Sequence, residues 1–145
     1  MRFREDSPYR PGSPYAASKV SSDLLVRAWA RTYGLPVTIS NCCNNYGPLQ
    51  NEEKFIPAAI KSVRHGGRPR LYGDGKNVRD WIHVDDHACA VWTILNEGRL
   101  GETYLIGANC ERSNLEVLQT IFEAMGKPRD FIDWVSDRPC HDRRY

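Results

Sequence analysis

Ser13-Pro14-Tyr15-Ala16-Ala17-Ser18-Lys19 opens the longest helical pattern in the sequence. Ser13 offers a side-chain oxygen to an otherwise orphan backbone N–H, and Pro14 fits the first helical position, where its missing donor would go unpaired anyway. Helical periodicity then places Val20, Leu24, Leu25, Ala28 and Trp29 on one face as far as about Tyr33, with Val26 and Ala30 widening it. Gly34 supplies the stop and Pro36 forbids continuation. A helix apolar over so much of its surface needs cover on more than one side, either within one large domain or against a partner subunit. The β-branched run Val37-Thr38-Ile39-Ser40-Asn41-Cys42-Cys43 that follows is too compact for a helix and reads as a buried strand. Helix, strand and the alternation that continues behind them predict an α/β fold.

Tyr15 and Lys19 are i and i+4, so they share one face at the start of that helix. An unperturbed phenol, with a pKa of about 10, is a poor base at neutral pH, and a nearby ammonium favours the phenolate. Such a pair suits proton removal from a substrate hydroxyl while hydride leaves the same carbon for a nicotinamide. The bare pattern is equally satisfied by a packed tyrosine beside a solvated lysine.

Downstream, the strand empties into Asn44-Asn45-Tyr46-Gly47-Pro48, predicted as a loop beyond a strand's carboxyl end, where open α/β sheets bind ligands. Ordinary turn chemistry would explain the paired asparagines too. A helix is expected over 53–65, ended by Gly66-Gly67, and a short strand Arg70-Leu71-Tyr72 leads into a hairpin-like turn at 73–77. Val78 to Val84 alternates as a strand, with Asp85 as the cap of a helix over 86–96 closed by Gly98. Arg79 offers a planar fork of donors that matches diphosphate oxygens. An ion pair with Asp80 is the plainer alternative, although neighbours on a strand point to opposite faces. A strand at 101–107, a helix over 115–125 capped by Asn114, and a strand at 131–135 complete the pattern.

The 145 residues suffice for a modest core, with 41% apolar and 26% charged residues and a net charge of +2. That charge favours neither nucleic acid nor a membrane surface, and no apolar run approaches the roughly 20 residues of a membrane span. The N-terminus carries no apolar signal region, so a cytoplasmic protein is expected. Five cysteines at 42, 43, 89, 110 and 140 show no C-x-x-C spacing, and Cys42, Cys43 and Cys89 are expected as small buried hydrophobes. His83 and His87 fall in different elements, so no metal site is expected.

Taken with Asn41 to Pro48, Arg79-Asp80-Trp81-Ile82-His83-Val84-Asp85-Asp86 and Asp137-Arg138-Pro139-Cys140-His141-Asp142-Arg143-Arg144-Tyr145, the opening block resembles the dTDP-glucose 4,6-dehydratases of the extended short-chain dehydrogenase/reductase superfamily. The resemblance runs over essentially the whole chain with the blocks in family order. It implies residues 1–50 as the C-terminal part of an NAD-binding Rossmann-like, doubly wound parallel sheet and 51–145 as an incomplete sugar-nucleotide-binding domain. It further implies Tyr15 and Lys19 as catalytic and cofactor-binding and Asn45 as lying near the nicotinamide. Asn44, Lys54, Phe55, Arg70, Leu71, Tyr72, Arg79, Asn114, Arg138 and His141 match substrate-binding positions. A solvated lysine and a helix cap remain the ordinary readings of Lys54 and Asn114. Arg70 stands where the family commonly has proline, and Cys140 where it has glycine.

The implied activity is NAD-dependent dehydration of dTDP-glucose to its 4-keto-6-deoxy product, in a homodimer built through the Tyr15–Lys19 helix. Neither a G-x-x-G-x-x-G stretch nor the family's Thr-Asp-Glu segment occurs in the sequence. A fragment inactive on its own is therefore expected. An epimerase or decarboxylase of the same superfamily would share Tyr15 and Lys19 but lack the later blocks, and a non-catalytic derivative would keep Tyr15 merely packed.

Overall fold

The computed structural model describes residues 3–144. Helix α1 (Pro14–Tyr33) starts and stops where the pattern puts it: Ser13 Oγ accepts from the Ala16 N–H at 3.2 Å, and Gly34, at φ 67°, donates to the Ala30 carbonyl at 2.9 Å. No α1 residue is buried, and Leu24, Leu25, Trp29 and Tyr33 are all more than half exposed. Tyr9 ties the helix to its surroundings, donating to Asp23 at 2.8 Å and accepting from Asn41 at 3.3 Å, while Arg27 donates to Thr103.

The strand run after α1 divides in two. β1 (Ile39–Cys42) pairs in parallel with β5 (Thr103–Ile106), and β2 (Asn44–Tyr46) pairs in parallel with β4 (Val78–His83). The expected loop at Asn44 is therefore a strand: its amides are poor strand formers alone, but the ladder to Trp81, Ile82 and His83 overrides that preference. β3 (Arg70–Tyr72) pairs in parallel with β7 (Asp133–Val135), and β4 takes β6 (Glu111–Ser113) as an antiparallel neighbour. The turn at 73–77 is consequently no hairpin, since β3 and β4 do not pair. Gly75 takes φ 68° there, and a Cβ would lie 2.6 Å from Leu71 Cδ2. Parallel ladders with helices between the strands give the α/β fold expected.

Two caps fall one or two residues earlier than the composition suggests. α3 (Val84–Glu97) is capped by His83, whose Nδ1 accepts from the Asp85 N–H at 3.3 Å, and Asp85 lies in the first turn. α4 (Asn114–Ala124) is capped by Ser113 in a reciprocal box with Glu116. Asn114 is thereby relieved of capping.

The core lies in the C-terminal half. Ala59 and Val63 of α2 (Phe55–Arg64), Leu71 of β3, Leu118, Ile121 and Phe122 of α4, and Ile132 pack together, with Phe122 edge-on to Phe131 at 6.2 Å. Leu71, Leu118 and Phe122 are fully buried, worth about 2 kcal/mol each. Around β1, β5 and α3 burial is thinner, and Cys42 and Cys89 are exposed rather than buried, because neither β1 nor α3 has cover on both sides among the described residues. Cys43 is half-buried, and burial with the Asp80 carboxylate beside it pushes its thiol up to about 11.

Candidate functional site

A cavity of about 540 Å³ opens between β3, the first turns of α2 and α4, β4 and the 138–141 loop. The alternation of β4 builds one wall. Asn77, Arg79 and Trp81 are all buried, as residues spaced by two on one face should be, and Arg79 and Trp81 line the cavity. Arg79 donates from Nη1 to the Val78 carbonyl at 2.7 Å and from Nη2 to the Asp142 carbonyl at 2.8 Å, and Asn77 Nδ2 reaches the same Asp142 oxygen at 3.1 Å. Asp80 points the other way and accepts from the Ala108 and Cys110 N–H groups. The ion-pair alternative for Arg79 does not occur.

Residues 142–144 thus form a strap along the start of β4. The Val78 N–H donates to the Arg143 carbonyl at 2.9 Å, Arg143 pairs with Asp74 at 2.6 Å, and Arg144 with Glu111 at 2.6 Å. Tyr145, the last residue of that sequence block, lies outside the described residues. The strap's approach carries the second wall. Arg138 stands 4.8 Å over the Tyr72 ring, and His141 meets the same ring edge-on at 6.4 Å. The His141 hydrogen bond, then the Arg138 N–H, hold the Asp137 carboxyl below the usual carboxylate range.

Of the expected substrate residues, Asn44, Phe55, Arg70, Leu71, Tyr72, Arg79, Asn114, Arg138 and His141 line this one cavity. Lys54 does not, being the exposed residue at the N-terminal cap of α2. Sequence reasoning passed over Trp81, stacked on Phe55 at 6.3 Å, and Arg68, which lies 5.5 Å over Phe131. Trp81 was detectable, since it sits two residues from Arg79 on an alternating strand. Arg68 gave no such signal. Arg68, Arg70, Arg79 and Arg138 line the cavity together with one carboxylate, Glu53, and Arg70 also pairs with Asp133 outside it at 3.8 Å, so the lining carries an excess of positive charge.

Tyr15 and Lys19 lie elsewhere. Both are exposed on α1, and neither lines the cavity. Asn45 is half-buried on β2 with Nδ2 donating to the Cys43 carbonyl at 3.2 Å, while its Oδ1 is buried without a protein partner. Among the described residues no His, Cys, Asp and Glu side chains cluster in a way that could hold a metal ion.

The parallel ladders, the Tyr15–Lys19 helix and the arginine-lined cavity place the chain in a class of proteins. Residues 2–107 match the NAD dependent epimerase/dehydratase family, and the chain belongs to it. Within that family it is 61% identical over 144 residues to the dTDP-glucose 4,6-dehydratase of Mycolicibacterium smegmatis, which covers 99% of this chain and 44% of the relative. The solved dTDP-glucose 4,6-dehydratase of Bacillus anthracis in complex with NAD superposes with a TM-score of 0.94 at 48% identity, over 100% of this chain and 46% of that one. That of Streptomyces venezuelae, also with NAD bound, gives 0.95 at 49%, over 97% and 44%. The chain therefore spans less than half the length of these relatives.

Proposed function

We propose that the protein carrying this chain is an NAD-dependent dTDP-glucose 4,6-dehydratase, with 51–145 as its sugar-nucleotide domain and 1–50 as part of its cofactor domain. The observation that carries this is the convergence of Arg70, Arg79 and Arg138 with Tyr72 and Asn114 on one cavity. Three guanidinium groups match a diphosphate, Tyr72 offers an aromatic surface for a base, and Asn114 adds amide donors and an acceptor. The identity to dehydratases supports the same reading.

Tyr15, Lys19 and Asn45 fit the nicotinamide end of NAD, since Asn45 Oδ1 is a buried acceptor awaiting a donor and the α1 pair is open to solvent. When bound, NAD supplies the hydride acceptor for sugar C4 and the donor for C6. Tyr15, as phenolate, takes the proton of the C4 hydroxyl. Lys19, one helical turn on, places a positive charge on the same face of α1. The resulting ketone acidifies the C5 proton, and elimination across C5 and C6 draws on carboxylates of a Thr-Asp-Glu type that this sequence does not carry.

The open apolar stripe of α1, with Leu24, Leu25 and Trp29 exposed, supports a homodimer through that helix. No helix among the described residues is long and apolar enough to cross a membrane, which fits a cytoplasmic enzyme. Incubating the full-length protein with dTDP-glucose and identifying the product is the test. A 4-keto-6-deoxy sugar is expected, whereas a C4 epimer or a decarboxylated sugar would assign the chain to another branch of the family.

A further inference from the structure

Where the 137–141 loop folds over β3, three side chains form a relay. Asp137 Oδ1 accepts from the Arg138 N–H at 2.8 Å and lies 2.6 Å from His141 Nδ1. His141 Nε2 lies 3.2 Å from Arg138 Nη2, and that guanidinium stands 4.8 Å over the Tyr72 ring. A guanidinium has five donors and no acceptor, so this contact needs a lone pair on Nε2. The ring proton then sits on Nδ1 and donates to the Asp137 carboxylate. One neutral tautomer alone satisfies both ends: an imidazolium or an Nε2–H ring would turn an N–H against the guanidinium. The His141 side chain is only 6% exposed, so the ring itself is held in place, while Asp137 is 48% exposed. Gly73 makes room for the carboxylate, since a Cβ there would lie 2.8 Å from Asp137 Oδ2.

We propose that Asp137 is a positioning residue that fixes the Nδ1–H tautomer of His141, so that Nε2 holds the Arg138 guanidinium over the Tyr72 ring to meet the ligand's phosphates. The phosphate half of this statement rests on the sugar-nucleotide reading of the cavity; the tautomer half stands on the geometry alone. Asp137 touches no ligand in this scheme and acts through His141.

The test pairs nitrogen-15 NMR of the His141 ring, in the full-length protein near neutral pH, with calorimetric titration of dTDP and, separately, of NAD. The wild-type ring should carry its proton on Nδ1. Asp137→Ala should shift it toward Nε2–H and weaken dTDP binding about tenfold, as for loss of one bond to a charged group, with NAD affinity unchanged. Asp137→Asn keeps an accepting oxygen and should retain both the tautomer and most of the affinity. A wild-type ring found as Nε2–H or as imidazolium overturns the proposal whatever the variants do, and so does an Asp137→Ala protein with unchanged tautomer and dTDP affinity. Failure of the wild-type protein to bind dTDP would sink the sugar-nucleotide reading instead, leaving the tautomer to decide the role of Asp137.

Discussion

Replacing Arg79 by lysine separates two jobs of one side chain, the anchoring of the 142–144 strap and the proposed contact with a diphosphate. Arg79 is 7% exposed, and its guanidinium donates to the Val78 and Asp142 carbonyls at 2.7 and 2.8 Å. A lysine keeps the charge, but its single ammonium on a flexible stem cannot reproduce that fork. Losing one hydrogen bond to a charged group costs about 1.5–3 kcal/mol. In the full-length protein, by its relatives more than twice the length of this chain, each kcal/mol lowers Tm by at most about 2–4 °C, so a fall of a few degrees is expected. On the proposed sugar-nucleotide reading the same substitution also takes the remaining guanidinium donors away from a diphosphate, so dTDP affinity should drop at least about tenfold while NAD affinity holds. Thermal unfolding and calorimetric titration of both ligands on one preparation read all three quantities. An unchanged Tm would refute Arg79 as anchor of the 142–144 strap. A lowered Tm with undiminished dTDP affinity would refute its role at the ligand, and equal loss of dTDP and NAD would reduce the effect to misfolding.

Tyr15→Phe in the full-length protein should leave dTDP-glucose binding intact and cut turnover by about 10² to 10⁴, the usual cost of a lost general base; near-normal product formation would remove Tyr15 from that role. Cys140 sits at φ 54° with its side chain exposed. Left-handed backbone costs a residue with a Cβ about 1–2 kcal/mol, and glycine gives part of that back as unfolded-chain entropy, so Cys140→Gly should stabilise by about 0.5–1 kcal/mol in denaturant titrations. Asp74, ion-paired to Arg143, has its carboxyl lowered from 3.8 to about 2. A depressed folded-state value stabilises above the ordinary carboxylate range and is lost as pH falls through it, so acid unfolding between about pH 4 and 2 should flatten in Asp74→Asn.

Local periodicity was enough for α1, whose first and last residues follow from Ser13, Pro14 and Gly34, and nearly enough for α2 and β3. It failed where the partner decides. Asn44-Asn45-Tyr46 and Glu111-Arg112-Ser113 carry no strand signal of their own and become strands because β4 offers both its edges. At both misplaced caps two good acceptors stand within two residues, His83 beside Asp85 and Ser113 beside Asn114, and composition cannot choose between them. Apart from Arg79, which its guanidinium chemistry singled out, the nine cavity residues came from resemblance, because they lie on six segments that no spacing rule connects. Cys42 and Cys89 misled because an apolar run says that a side chain wants cover, without saying that the chain in hand supplies it.

The pairing of distant segments also sets a timetable for folding. Asn77 meets Asp142 across 65 residues, and Arg27 meets Thr103 across 76. Helices such as α1 can form within microseconds of leaving the ribosome, but β3 must wait for residues 133–135 and Arg79 for the strap. At about 5–20 residues per second, synthesis alone leaves β3 without its partner for roughly 3–13 s. Through that interval Leu71, fully buried in the finished core, is open to whatever other apolar surface is nearby. Slower translation over residues 72–133 would lengthen the exposure, and a holdase chaperone acting on this stretch would raise the yield of native protein without touching its final stability.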